Sequence, residues 1–355
     1  VLNLHQQLLE LAVDPEDAHK ETILYIAGLL SSLNFTVEIY PFELPSAVKA
    51  NVYVYYGNRT SAKTVMVSHI GDNWGTQLDG ANPYNMQPET PLNRQDDKIY
   101  GTGSARSKAS MATVLTSFIS LYAENEVYPG DVALLFVGGD GAHGHAMSCA
   151  SNAIQDIPPK TVLFSTQSSN RLVSAYKGLI WLKIKGIGTP SPGAKAHNGL
   201  SALSVVLSAA DKIQNLPMPL SAFLGKTKTK ITNIYAGDLT ENAPTSAVAD
   251  VLIRTTAHTD RILRMLRGCV RNLTGVSLDI KAVYEPLILS SWVSGFKVTV
   301  SDAITDIPFF RVSDTDESPS FYAYGPGVTG NYKSGAENIS EYSLLKAVYG
   351  YRKLI

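Results

Sequence analysis

The spacing of hydrophobic positions changes several times along the chain. Behind Asp14-Pro15-Glu16, whose proline suits a first helical turn, Ile23, Ile26, Leu29 and Leu30 keep near-helical spacing through Leu33. Short β-rich runs follow at 36–40, 51–56, 64–68, 132–137 and 161–164. Several are almost continuously apolar, the pattern of strands covered on both faces, and together they predict a central, mostly parallel sheet. Between them Met111, Val114, Leu115, Phe118, Leu121 and Tyr122 mark the core-facing side of a helix over 107–123. Alternation of the two patterns predicts an α/β class.

A second unit begins near Lys177. Positions 180–185 alternate like a half-exposed strand, 200–213 have helical spacing, 230–235 and 247–254 are strand-like, 261–270 are helical, and 277–283 form a last strand. This β-α-β-β-α-β order predicts a ferredoxin-like α+β sandwich. Afterwards 296–300, 321–324 and a helix over 340–354 resume the first pattern. The expected organisation is therefore a main α/β domain over 1–176 and 290–355 with an inserted domain over 177–289. The longest irregular stretch, 73–98, is rich in Pro, Asn, Gln and Asp, and its length suggests a functional surface.

Composition narrows the partners. With 355 residues, 45% of them hydrophobic, the chain can bury one large core and a smaller one. A net charge of -1 supplies no broad basic field, so nucleic acid and anionic membrane are not expected partners, and a small or peptide-like ligand is. No run of about 18 apolar residues occurs that would cross a bilayer. A start at Val1 fits a processed N-terminus and a trimmed sequence equally. Asn34-Phe35-Thr36, Asn58-Arg59-Thr60, Asn272-Leu273-Thr274 and Asn338-Ile339-Ser340 are glycosylation acceptor patterns, compatible with the secretory route. Cys149 and Cys269 lie in apolar helical contexts and read as free, buried thiols.

Four strings carry the candidate chemistry: Val67-Ser68-His69-Ile70-Gly71, Tyr100-Gly101-Thr102-Gly103-Ser104-Ala105-Arg106-Ser107-Lys108, Leu134-Leu135-Phe136-Val137-Gly138-Gly139-Asp140-Gly141 and Tyr324-Gly325-Pro326-Gly327. In order and spacing they resemble the zinc exopeptidase family of aminoacylases, acetylornithine deacetylases and glutamate carboxypeptidases. The resemblance extends into the inserted unit, where Ala175-Tyr176-Lys177-Gly178, Ile231-Thr232-Asn233-Ile234 and Asn242-Ala243-Pro244 look like parts of the family's lid. It implies two zinc ions at the carboxyl ends of sheet strands, a glutamate base, a lid histidine and a homodimer formed through the lid.

Most of the letters that would hold the metals are changed. His69 stands at the family's first histidine, but Gly71 takes the following aspartate position, with Asp72 one step on. The bridging aspartate falls on Arg106. The Glu-Glu pair falls on Asp140 and Gly141, the later acidic ligand at about Thr166, the last histidine on Lys333 ahead of Glu337, and the lid histidine near Pro190. A catalytic zinc needs about three ligands from His, Cys, Asp or Glu, and Arg106 is instead a permanent cation.

No retained cofactor is therefore expected, although zinc is what the resemblance implies; any rebuilt site would draw on His69, Asp72, Asp140 and His143. The favoured reading is a repurposed, metal-independent catalyst acting on a small amide- or amino-acid-derived substrate. Asp140, His143, His145, Arg106 and Lys333 are its candidate acid-base and charge-stabilising groups, and His69, Asp72, Thr166 and Gln167 its candidate substrate contacts. Two alternatives stay open: a non-catalytic binder of a peptide, small molecule or partner, and a residual zinc amidohydrolase or carboxypeptidase. Arg106 would serve the binder by pairing with Asp72 or Asp140 and closing the site. His5, His19 and His258 read as surface residues, and His197 is left unassigned.

Overall fold

The continuous apolar runs take the middle of the main sheet. The structure is a computed structural model describing residues 1–11, 18–44, 47–71, 90–139, 144–189, 200–237, 244–312, 318–327 and 337–355. These divide into two units: Val1–Ser174 with Leu289–Thr299 and Thr305–Ile355, and Ala175–Ile288 with Val300–Ile304.

The first unit holds a six-stranded sheet in the order Thr36–Leu44, Ala47–Tyr55, Val132–Val137, Thr64–His69, Thr161–Ser165, Ser320–Tyr324. The first two strands form an antiparallel hairpin whose second strand runs antiparallel to Val132–Val137. The last four strands are mutually parallel. Val132–Val137 is buried at every position, as its unbroken apolar sequence requires for a strand covered on both sides.

The helix Ser107–Ala123 fills one of those sides, and it is buried on more than the predicted face. Met111, Val114, Leu115 and Phe118 join the core, while Ala109, Ser110, Ala112, Thr113 and Ser117 are buried as well. These small residues let the helices Leu2–Glu10 and Glu341–Leu354 pack against it. Two of its hydroxyls are satisfied within the helix: Thr113 Oγ1 donates to the Ala109 carbonyl at 2.8 Å and Ser117 Oγ to that of Thr113 at 2.7 Å. The helix Leu2–Glu10 was given no range from the sequence, and His145–Ala153 appeared there only as the helical context of Cys149. The start expected at Asp14 lies outside the described residues, which resume with the helix Ala18–Ser32.

The second unit is a four-stranded antiparallel sheet in the order Lys228–Ala236, Ser246–Thr255, Gly178–Ile187, Val276–Tyr284. The helices Ala202–Gln214 and Thr259–Val270 complete the β-α-β-β-α-β order. Along Gly178–Ile187, Ile180, Leu182 and Ile184 enter the core, while Lys183 and Lys185 point outward and pair with Asp250 and Asp279. Cys149 and Cys269 form no disulfide among the described residues and are half-buried.

Candidate functional site at the strand ends

Four parallel strands bring their carboxyl ends to one edge of the main sheet, where open α/β sheets present ligand-binding loops. His69 is the last residue of Thr64–His69, paired in register with Val137. Its Nε2 lies 2.8 Å from Asp306 Oδ2, with only 12% of the imidazole and 2% of the carboxylate side chain exposed. The carboxylate accepts, so Nε2 carries the proton. Asp306 caps the short 3-10 helix Ile307–Phe309, whose Phe309 N–H reaches the Asp306 carbonyl at 2.8 Å. Its other carboxylate oxygen, Oδ1, is buried with no hydrogen-bond partner among the described residues. The sequence reading missed Asp306, which is 237 residues from its partner.

The loop before the Ser107–Ala123 helix is built around Glu337. Gly103 N–H donates to Glu337 Oε2 at 2.9 Å and Ala105 N–H to Oε1 at 3.0 Å. Arg106, the residue capping that helix, donates from Nε to Oε1 at 3.2 Å and from Nη2 to Oε2 at 3.0 Å. The carboxylate thus receives four N–H bonds, two from a guanidinium fork, the geometry in which arginine binds a carboxylate best. Only 3% of the glutamate side chain and 16% of the arginine side chain are exposed. Among the described residues the ion-pair partner of Arg106 is therefore Glu337; Asp72 and Asp140, its expected partners, lie outside them.

Two further loops are fixed against this one. Gly327 has φ +79°, and a Cβ there would come within 2.1 Å of the Ala105 carbonyl oxygen, so glycine is required both by conformation and by the close approach of the Arg106 loop. Thr166 and Gln167, both half-buried, follow the strand Thr161–Ser165, and Thr166 N–H bonds the Tyr324 carbonyl at 3.1 Å, which holds the Thr166 backbone against Gly325. Gly71, at φ +101°, has no described residue within 4 Å of where a side chain would start, but that backbone conformation would strain any L residue.

Two histidines expected on the surface support the site from inside. His5 is fully buried, its Nε2 2.9 Å from the Ser104 carbonyl in the Arg106 loop, and burial pushes its pKa down to about 4. His19 accepts the Ala50 N–H at 3.2 Å. Its pKa is also lowered to about 4, first by burial and then by the charge of Lys49 and Lys108. Lys108 is itself buried, with Nζ 3.3 Å from Thr22 Oγ1. Both lie on helices, Leu2–Glu10 and Ala18–Ser32, that turn these imidazoles inward and not to the surface. His258 is exposed, as expected.

His145 begins the helix His145–Ala153 instead of sitting in a loop. It is exposed, stands edge-on to Phe42 at 5.9 Å and lies 3.7 Å from Cys149 Sγ. Asp72, Asp140, Gly141, His143, Pro190, His197 and Lys333 lie outside the described residues. The structure thus brings Arg106 to Glu337, His69 to Asp306, and the Thr166 backbone to Gly325.

The described residues alone do not supply a ligand set for a pair of zinc ions. At the positions the resemblance gives to carboxylates stand a glycine without a side chain and an arginine already engaged with a buried glutamate. Among the described residues no three His, Cys, Asp or Glu side chains gather as a metal-binding group. What the described residues offer is a guanidinium neutralised by a buried carboxylate and a histidine held by another.

Residues 174–273 match the family model described as the peptidase dimerisation domain of M20 peptidases. The whole chain is similar to a peptidase M20 domain-containing protein of Schizosaccharomyces pombe, 25% identical and covering 84% of that protein. It is likewise similar to a probable carboxypeptidase of Emericella nidulans, 29% identical and covering 88% of it. Among solved structures, a Staphylococcus aureus tripeptidase superposes over 100% of this chain and 96% of its own with a TM-score of 0.70 at 16% identity. A metallo-carboxypeptidase of the M20 family from Sulfolobus solfataricus does so over 99% and 97% with a TM-score of 0.68 at 12% identity. The chain has the M20 peptidase fold, a mostly parallel sheet domain with a dimerisation domain. Along its whole length it is similar to a peptidase M20 domain-containing protein and to proteins named probable carboxypeptidases.

Proposed function

We propose that this protein is a carboxypeptidase-like M20 protein in which an arginine–glutamate lock replaces the dinuclear metal site, and that it binds a peptide or acylated amino acid at the strand ends without zinc hydrolysis. The observation that carries this reading is the bidentate, buried Arg106–Glu337 pair, a cation standing at the position where the family resemblance asks for a bridging carboxylate. A permanent guanidinium charge there repels a dication and offers it no lone pair. The similarity to proteins named probable carboxypeptidases supports a peptide-type ligand better than it supports a new, metal-independent reaction. The match to a dimerisation domain supports a homodimer formed through the second unit.

The test is calorimetric binding of N-acylated dipeptides alongside a hydrolysis assay on the same compounds with added zinc. Binding without zinc-dependent release of the carboxy-terminal residue is the expected result. Zinc-stimulated release at ordinary enzymatic rates, about 1 per second or faster, overturns it.

A second reading has its own support: a residual carboxypeptidase with one metal, favoured by the relatives' names and by His69 being held on a buried carboxylate, the usual support of a metal-binding imidazole. The same assay separates the two.

A further inference from the structure

The helix Thr259–Val270 carries a row of arginines that the peptidase fold does not explain. Arg261, Arg264 and Arg267, with Arg271 just beyond its end, are all exposed, and none makes an ion pair among the described residues. Buried Ile262, Leu263, Leu266 and Val270 define the inward face, so at 100° per residue the four arginines fall together on the outward one. The row runs about 15 Å at a rise of 1.5 Å per residue. Exposed Gly268 interrupts it, and nothing lies within 4 Å of where its Cβ would be, which leaves a notch of bare backbone between guanidinium groups. Exposed Lys212 of the neighbouring helix adds charge close enough to act on Cys269. Asp260 is the one acidic residue in the helix.

Helix stability accounts for half of this pattern. Arg267 and Arg271 sit at the carboxyl end, where cations complement the helix dipole. Arg261 lies in the first turn, where a cation opposes it, and the i,i+3 steps from Arg261 to Arg264 to Arg267 set like charges side by side. A row that works against its own helix, in a chain of net charge -1, is a localised field of the kind that recruits an anionic partner. The helix packs over the Val276–Tyr284 edge of the sheet, at the opposite end of the strand order from the edge strand Lys228–Ala236, so this surface is separate from that second edge.

We propose that the arginine face of Thr259–Val270 is a docking surface for an acidic polypeptide segment of a partner protein. A helical segment with Glu or Asp at i, i+3 and i+7 repeats the 4.5–6 Å rises of the row, and guanidinium forks pair with carboxylates two bonds at a time. A membrane is the poorer match, because no large apolar side chain of this helix is exposed for insertion beside the charges.

The experiment uses the full chain and a synthetic helical peptide with glutamates at that spacing, compared with its glutamine counterpart, by fluorescence anisotropy at low salt. Wild type should bind the glutamate peptide at least about tenfold more tightly than the glutamine one, equivalent to ~1.4 kcal/mol. Binding should fade toward 1 M salt, where the screening length falls to about 3 Å. R261E/R264E should abolish the preference and R261K/R264K should keep part of it. The reversal makes the step from 264 to Arg267 attractive and favours the helix dipole at 261, which offsets the like charges left at 261 and 264 and set beside Asp260, so the variant should melt close to wild type, which separates lost docking from lost folding. Equal binding of both peptides, an undiminished preference in R261E/R264E, no binding at all, or tighter arginine-dependent binding to phosphatidylserine vesicles than to the peptide would each overturn the proposal.

Discussion

Removing either partner of the Arg106–Glu337 pair should be costly, but not equally. In Glu337→Ala the guanidinium, 16% exposed, loses its carboxylate, and the Gly103 and Ala105 N–H groups lose their acceptors. Leaving a buried charge unpaired costs about 3–5 kcal/mol, and each orphaned donor adds to it. In Arg106→Ala the carboxylate keeps both backbone donors and stays beside the amino end of the Ser107–Ala123 helix, where negative charge is favoured. That loss is closer to one charged hydrogen-bonding interaction, about 1.5–3 kcal/mol. Glu337→Ala should therefore be the worse variant by ~2 kcal/mol, with Glu337→Gln between them. The two units can unfold separately, so the assay is urea unfolding read by hydrogen exchange of peptides covering 101–106, with peptides from the Ala175–Ile288 unit as internal reference. If Arg106→Ala proved as damaging as Glu337→Ala, the carboxylate would not be the hub of this loop.

Acid should loosen the first unit, because the pKa of His5 is near 4 in the fold against about 6.5 unfolded, so the unfolded chain takes up its proton first as pH falls. The stability it contributes is complete above pH 6.5 and declines to pH 4; at pH 5 the loss is about 2 kcal/mol, and His5→Leu should flatten that slope in denaturation curves taken from pH 7 to 5. Gly327→Ala should cost at least ~1–3 kcal/mol from its left-handed backbone, with more from the approach to the Ala105 carbonyl; unchanged urea unfolding would refute the packing described. Asp306→Ala should cost about 1–3 kcal/mol by removing the acceptor of His69 Nε2, and Asp306→Asn less, since its amide oxygen can still accept; equal losses in thermal melts would mean the bond matters little.

Much of the scaffold could be read from period alone. The unbroken apolar run 132–137 belongs in the middle of a covered sheet, and the alternation at 180–185 marks a strand with one wet face. The second buried face of Ser107–Ala123 was hidden because alanine, serine and threonine carry no strong hydrophobic signal, although they are the residues that permit close helix contact. His5 had a usable clue: it sits at i of an i, i+3, i+4 set with Leu8 and Leu9, on the stripe that faces inward. His19 had the same kind of clue, at i of an i, i+4, i+7 set with Ile23 and Ile26 on the inward stripe. Asp306 had no local signal, since its meaning comes from His69, distant in sequence and near only through the fold. His145 was misread because the glycine-rich run after Gly138 looks like one continuous loop, while the helix begins at His145 itself.

The central claim is that a guanidinium stands where a bridging carboxylate would hold two metals. The most direct test is the zinc-to-protein ratio by elemental mass spectrometry after equilibration with micromolar zinc and gel filtration, on wild type and on Arg106→Asp. The account predicts wild type well below one zinc per chain. About two zinc ions per wild-type chain, the stoichiometry of a dinuclear hydrolytic centre, would contradict it.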